Sequence, residues 1–135
     1  IARAAAVIGL LGIALIHLLD LQSKFQETPY LGVLYLLLIA GSLGAAAGLV
    51  HRDDSKAWFV AALLSAATIA GYAINRTVGM PSATEDIGNW LEPLGLASLF
   101  VEGIVLAVSA YALTERRASS STGVGTNSTR TPEFV

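Results

Sequence analysis

One carboxyl group, Glu102, stands out because only uncharged residues surround it. Glu102 is the sole charged side chain in the run of residues 93–114. It lies about 15 Å from the start of this run if the run is helical, which is close to the middle of a hydrocarbon layer about 30 Å thick. An ionisable group at that depth costs about 2.5–3.5 kcal/mol on insertion scales and is therefore a candidate for function. We expect Glu102 to face the interior of a helix bundle.

A stripe of polar side chains in residues 57–78 could be a companion to Glu102. These residues recur at helical spacing along one face, in the order Ser65, Thr68, Tyr72, Asn75 and Arg76. The other segments add polar groups at related depths, so that the predicted ligand-binding or buried polar network is Glu102, Arg76, Tyr72, Thr68, Glu92, His17, Tyr35 and Asn75. Two interpretations remain open. The network forms a pocket with Glu102 as its floor, or its members satisfy one another inside the bundle, with Arg76 and Glu92 as an ion pair.

A metal site is a weaker hypothesis. His17 and Asp20 are three residues apart and share a helix face, and Glu27 or Glu92 could add oxygen ligands of a kind that suits zinc or manganese. Metal sites in helix bundles usually draw repeated Glu-x-x-His pairs from facing helices, however, and only one pair in reverse order is present. His17 and Asp20 are the metal candidates, and the sequence assigns no cofactor.

Several function classes lack support in the sequence. The absence of cysteine excludes disulfides, thiolate metal ligands and cysteine nucleophiles. The chain contains neither Gly-x-Ser-x-Gly nor His-Glu-x-x-His nor a phosphate-binding loop, so we expect a protein that is not an enzyme. A formal net charge of −2 gives no electrostatic case for a nucleic-acid partner.

The elements that would position these residues are transmembrane helices. Of the 135 residues, 54% are hydrophobic and 13% are charged, against about 25% charged in an ordinary soluble domain. Four segments are long and apolar enough to span a bilayer as helices, namely residues 2–21, 29–50, 57–78 and 93–114. Their short connections predict an all-α, up-down-up-down antiparallel bundle over residues 1–115. Residues 116–135 are rich in Ser, Thr and Gly and are predicted to be a disordered cytoplasmic tail.

The connections between the helices carry further signals. The spacing of Ser82 and Glu85 is that of a capping box and predicts a short interfacial helix that ends near Trp90. Asp53 and Asp54 are expected to be solvated charges of a loop. Five Lys and Arg residues flank the spans on the side of both termini, and two flank them on the other side. The positive-inside rule then predicts a multi-pass plasma-membrane protein with both termini in the cytoplasm and the polar pocket in the outer half.

Small residues in the second segment predict close helix contacts. Gly41, Gly44 and Gly48 share one face, and Gly44 and Gly48 form a Gly-x-x-x-Gly motif. This face is either the seam of a homodimer or a contact with a neighbouring helix of the same bundle. The partners expected are therefore the lipid bilayer and a membrane protein or a second copy.

Two functions are consistent with these observations. The first is a subunit or accessory factor of a membrane complex that acts through its helix faces. The second is a bundle that binds a small ligand, a cation or a lipid in a pocket with Glu102 as its floor.

Overall fold

The computed structural model describes residues 1–124 and contains four α-helices. They are α1 (Ala2–Glu27), α2 (Pro29–His51), α3 (Ser55–Thr77) and α4 (Pro93–Val124). All four are long and apolar enough to cross a membrane. The structure thus confirms the prediction of four apolar helices.

The helix ends have local causes. α1 continues to Glu27, six residues beyond the predicted span, because the Glu27 carboxylate accepts hydrogen bonds from Ser23 Oγ (2.7 Å) and Lys24 Nζ (3.0 Å) in its last turn. α2 begins at Pro29, where a proline loses no helical hydrogen bond. α3 begins earlier than predicted because the Asp54 carboxylate accepts a hydrogen bond from the Ala57 N–H at 2.9 Å. Asp54 is therefore a helix cap and not merely a solvated charge.

α4 extends ten residues past its predicted end. Residues 115–118 are strong helix formers, and the hydroxyl groups of the next four residues each donate to a backbone carbonyl three or four residues earlier. Arg116 Nη2 also lies 2.8 Å from Asp53 Oδ1. The predicted onset of disorder at residue 116 is corrected accordingly, since residues 116–124 are helical. The remaining part of the predicted tail, residues 125–135, lies outside the described residues.

The connection between α3 and α4 consists of turns and not of the predicted interfacial helix. Ser82 has a φ of 56°, which is incompatible with a right-handed helix. Side chains of the α1–α2 junction hold this segment instead, because Thr28 Oγ1 donates to the Ser82 carbonyl (3.3 Å) and Tyr30 Oη donates to the Pro81 carbonyl (2.7 Å). The segment therefore packs against the end of the bundle at which α1 meets α2.

An apolar core occupies one half of the bundle. α1 packs against α2 and α4, and α3 packs against α4 and, less extensively, against α2. The buried core residues are Ala6, Leu10, Ile13, Ala45, Ala46, Leu49, Ala57, Trp58, Ala61 and Val105. In sequence they belong to the start of α1, the end of α2, the start of α3 and the middle of α4. The other half of the bundle contains the polar residues discussed below.

The Asp53 carboxylate contacts residues of α1, α3 and α4 next to this core. Its carboxylate accepts a hydrogen bond from Trp58 Nε1 at 2.7 Å and pairs with Arg116 at 2.8 Å and with Arg3 at 3.7 Å. Its φ of 47° lies in the left-handed region, which Asp tolerates better than most residues. The expectation that Asp53 is a solvated loop charge is therefore corrected.

Of the glycines Gly41, Gly44 and Gly48 of α2, two lie against α3. A Cβ at Gly41 would lie 3.2 Å from a Leu64 methyl group, and a Cβ at Gly48 would lie 3.2 Å from the Ala57 methyl group. Gly44 has no atom within 4 Å of such a Cβ. Gly41 and Gly48 thus make contacts within the bundle, whereas Gly44 faces outward.

Candidate functional site

A cavity of about 540 Å³ lies among the four helices, in the half of the bundle away from the apolar core. All eight residues of the predicted polar network line it, namely Glu102, Arg76, Tyr72, Thr68, Glu92, His17, Tyr35 and Asn75. This volume falls within the range of about 300–1,000 Å³ that is usual for small-molecule sites. The structure brings the predicted residues together, and their role in binding stays a prediction.

Glu102 has the most completely buried carboxyl group of the cavity lining. Its side chain is 1% exposed, and its Oε1 accepts a hydrogen bond from Ser98 Oγ at 2.6 Å. Its Oε2 has no hydrogen-bond partner among the described residues. Buried polar atoms without a partner are uncommon in proteins, and each requires an explanation. Ser98 lies one helical turn before Glu102, and side chains at this spacing are neighbours on a helix. The spacing could therefore have predicted the hydrogen bond, although the predicted network does not include Ser98.

His17 faces Glu102 from α1. Its Nδ1 lies 2.9 Å from the Ile13 carbonyl, which can only accept, so this nitrogen carries a proton. Its Nε2 lies 4.0 Å from Glu102 Oε1, which is beyond hydrogen-bond distance. The edge of the imidazole packs against the Tyr35 ring, with 4.8 Å between the ring centroids. The backbone contact and the tyrosine fix the imidazole ring and direct Nε2 toward the cavity.

The hydroxyl groups of Tyr35 and Thr68 donate hydrogen bonds to acceptors within the protein. Tyr35 Oη donates to Asp20 Oδ2 at 3.4 Å, and Thr68 Oγ1 donates to the Leu64 carbonyl at 2.7 Å. Asp20 therefore orients Tyr35.

His17 and Asp20 are the metal candidates from the sequence. In residues 1–124 no third His, Cys, Asp or Glu side chain joins them as a possible metal ligand, because the structure contains no group of three or more such side chains that could hold a metal.

Charged side chains surround the other end of the cavity. Arg76 Nη1 lies 2.7 Å from Asp86 Oδ1, and Asn75 Nδ2 donates to Asp86 Oδ2 at 3.1 Å. Lys24 Nζ lies 3.7 Å from the same carboxylate. Partial burial of Asp86 favours its neutral form, but the contacts with Arg76, Asn75 and Lys24 outweigh this effect and hold the pKa of Asp86 below its ordinary value.

The predicted pair of Arg76 with Glu92 is the lesser of two ion pairs. Arg76 Nη2 lies 3.9 Å from Glu92 Oε2, and the Glu92 carboxylate mainly caps α4 by accepting the N–H groups of Leu94 and Gly95. The predicted network omits Asp86. This residue lies in the irregular connection between α3 and α4, and helical periodicity predicts positions only for residues within helices.

Tyr72 forms the wall between these charges and α4. Its Oη donates to the Trp90 carbonyl at 3.1 Å, and the Arg76 guanidinium lies 4.8 Å from its ring centroid. A Cβ at Gly95 would lie 2.6 Å from a Tyr72 ring carbon, so only glycine at this position admits the ring without a shift.

The cavity lies behind the side of the bundle formed by α2 and α3, which contact each other less extensively than the other neighbouring helices do. These helices contact each other through Gly41 and Gly48, near the apolar core. Farther along, exposed residues of three helices line the cavity, namely Leu34 and Leu37 of α2, Ala67 of α3 and Leu94 of α4. The site therefore combines a polar floor with an apolar side opening.

Comparison with protein-family models, with curated proteins and with solved structures finds no match to this chain.

Proposed function

We propose that this chain is an integral membrane protein whose four helices hold a small molecule in the cavity above Glu102. The observation that carries the proposal is the fully buried carboxyl group of Glu102, a residue of the cavity lining, whose Oε2 has no hydrogen-bond partner among the described residues. A buried polar group retained without a partner is costly, and a bound ligand would offset that cost. The second function predicted from the sequence, a ligand-binding bundle, therefore becomes the first choice.

The arrangement in the membrane is part of the same proposal. In it, the helices cross the bilayer in antiparallel up-down-up-down order, and both termini lie on the cytoplasmic side of the plasma membrane. The excess of Lys and Arg near the termini and near the α2–α3 loop supports this orientation. The cavity then lies in the outer half of the bilayer.

Binding is proposed rather than catalysis because of how the lining hydroxyl groups are used. Those of Ser98, Thr68, Tyr35 and Tyr72 donate to Glu102, to Asp20 or to backbone carbonyls. No hydroxyl group in the described residues is hydrogen-bonded to His17, the one imidazole of the cavity, so no activated nucleophile is assembled.

Native mass spectrometry of the chain, extracted gently from the membranes in which it is expressed, tests the proposal. We expect a bound small molecule of defined mass. The adduct should be lost from Glu102→Gln and kept in Ser109→Ala, which alters a buried hydroxyl outside the cavity. A bare parent chain, or an adduct that both variants retain, would contradict the proposal.

A second candidate function is that of a subunit that binds a partner through its outer helix faces. The open Gly44 position supports it, since Gly44 and its exposed neighbours Ala40 and Ala47 form a small-residue face on the outside of α2. Extraction as a defined complex that Gly44→Leu dissociates, while Glu102→Gln leaves it intact, would favour this function.

A further inference from the structure

The floor of the cavity presents hydrogen-bond acceptors that have no donor among the described residues. Glu102 Oε2 has no partner within residues 1–124, and His17 Nε2 is an acceptor in the neutral ring because Nδ1 carries the proton. The nearby hydroxyl protons of Ser98, Tyr35 and Thr68 are already donated to protein acceptors. A ligand at this floor must therefore bring donors of its own.

The charges of the lining favour a cationic donor. Four carboxyl groups line the cavity, from Asp20, Asp86, Glu92 and Glu102, against the two cations of Lys24 and Arg76. Both cations are held by neighbouring carboxylates, Arg76 by Asp86 at 2.7 Å and Lys24 by Glu27 at 3.0 Å. The hydrogen-bond acceptors of the floor would repel an anionic head group, whereas an ammonium group can donate hydrogen bonds to them.

The side opening favours a ligand with an apolar tail. Leu34 and Leu37 on α2, Ala67 on α3 and Leu94 on α4 are exposed and also line the cavity, so it meets the surrounding medium at these residues. Three of the four belong to α2 and α3, the neighbouring helices with the least extensive contact. For helices that span a bilayer, this medium is the acyl-chain region. A chain attached to the head group could extend through the gap between α2 and α3 into the lipid.

From these three observations, and resting on the function proposed above, we propose that the ligand is an amphipathic primary amine. Its ammonium group binds between Glu102 and His17, and it enters from the bilayer between α2 and α3. The N–H donors of the ammonium group match Glu102 Oε2 and His17 Nε2, and the alkyl chain contacts the leucines of the opening. The amine can be a free alkylamine or the head group of an aminolipid.

A series of twelve-carbon amphiphiles tests the chemistry of the head group. The protein is placed in phosphatidylcholine nanodiscs, and thermal unfolding is followed with dodecylamine, dodecyltrimethylammonium, dodecanol or dodecanoate. We expect dodecylamine to give the largest increase in Tm. Glu102→Gln should weaken its apparent affinity by about 10- to 100-fold, because a charge-assisted hydrogen bond becomes a neutral one. Nanodiscs that also contain phosphatidylethanolamine identify the source, because a Glu102-dependent increase in Tm without added amine indicates an aminolipid.

Two results overturn the chemical class without affecting the proposed function. Equal stabilisation by dodecyltrimethylammonium, which has no N–H donor, would show that charge alone is recognised. Stronger stabilisation by dodecanoate or dodecanol that depends on Glu102 would show a ligand of another class in the same cavity. Failure of the proposed function itself is read separately, from the absence of any adduct in native mass spectrometry.

A matched pair of variants tests the route of entry. Ala66 and Ala67 are adjacent exposed alanines of α3, but only Ala67 lines the cavity. We expect Ala67→Phe to slow the association of dodecylamine about tenfold or more and Ala66→Phe to leave it unchanged. Equal association rates in the two variants would contradict entry between α2 and α3.

Discussion

His17 Nε2 and Glu102 Oε1 face each other at 4.0 Å, from α1 and α4, across the floor of the cavity. The separation is too long for a hydrogen bond, so the two groups do not satisfy each other. Each residue is held by its own helix, His17 through the Ile13 carbonyl and Glu102 through the Ser98 hydroxyl. The pair is therefore oriented before any ligand binds, which reduces the entropy lost on binding.

The charge at position 102 should matter more for folding when it is reversed than when it is removed. Glu102→Gln keeps the shape of the side chain and its contact with Ser98, so we expect the folded fraction in detergent to equal that of the parent. Glu102→Lys places a cation in a buried position, at a cost of about 2.5–3.5 kcal/mol on insertion scales. Circular dichroism during thermal unfolding measures the effect, and an unchanged Tm for the lysine variant would show that the position is not buried.

Arg76 should be coupled more strongly to Asp86 than to Glu92. The two ion pairs measure 2.7 Å and 3.9 Å, and the Glu92 carboxylate is already used by the α4 N-terminus. Double-mutant cycles with Arg76→Ala should give a coupling free energy of about 1 kcal/mol or more with Asp86→Ala and under about 0.5 kcal/mol with Glu92→Ala. The reverse order would show that Glu92, and not Asp86, is the main partner of Arg76.

The Asp86 carboxylate should also make stability depend on pH in the acid range. Its pKa is lowered in the folded protein, so its stabilising effect is fully present above the unfolded value near 3.9. The effect is lost as the pH falls through the lower folded value. We expect the difference in Tm between the parent and Asp86→Asn to shrink as the pH falls below about 4. A difference that is constant from pH 7 to pH 3 would contradict this ion pair.

The α2 glycines should respond differently to the same substitution. Gly48→Leu pushes a side chain against Ala57 and should lower the free energy of unfolding by about 1–3 kcal/mol. A Cβ at Gly44 meets no atom of the described residues within 4 Å, so Gly44→Leu should change the free energy of unfolding by less than about 0.5 kcal/mol. Equal losses of stability in the two variants would show that Gly44 is also a buried contact, and a change of oligomeric state in Gly44→Leu alone would indicate a dimer seam.

Asp53 should stabilise the opposite end of the bundle through its carboxylate. Asp53→Ala removes the acceptor of Trp58 and the partner of Arg116 together, and we expect a loss of about 1–3 kcal/mol. Asp53→Asn keeps an acceptor for the indole and tolerates the positive φ of this position, so its loss should be smaller. Chemical denaturation in mixed micelles compares the two, and equal losses would mean that the hydrogen bond to the indole contributes nothing.

The sequence predicts those features of this fold that depend on the regular repeat of a membrane-spanning helix. Residues three and four apart on one helix share a face, and this rule predicted a common face for Thr68, Tyr72 and Asn75, all of which line the cavity. Depth along each helix likewise predicted that polar groups of the other helices, His17 among them, lie at depths related to that of Glu102. Both arguments need only helices of known rise.

The remaining features depend on structure that is not periodic. Asp86 and the Trp90 carbonyl belong to turns whose path is set by contacts with Thr28 and Tyr30, more than 50 residues earlier in the chain. The capping-box spacing at Ser82 predicts a helix from local residues alone, and these long-range contacts hold the segment in turns instead. The exposure of the cavity lining on α2 and α3 likewise depends on how the two helices pack, which no single helix specifies.

Labelling of single cysteines tests most directly whether a cavity leads from the surface to Glu102. The chain has no cysteine, so Ser98→Cys and Ser109→Cys each introduce a single thiol at a buried position of α4. Ser98 lines the cavity and Ser109 does not. We expect the small cationic reagent methanethiosulfonate ethylammonium to modify Ser98→Cys readily and Ser109→Cys hardly at all, with dodecylamine protecting the first. Equal modification of both positions, or modification of neither, would contradict an accessible cavity with Glu102 as its floor.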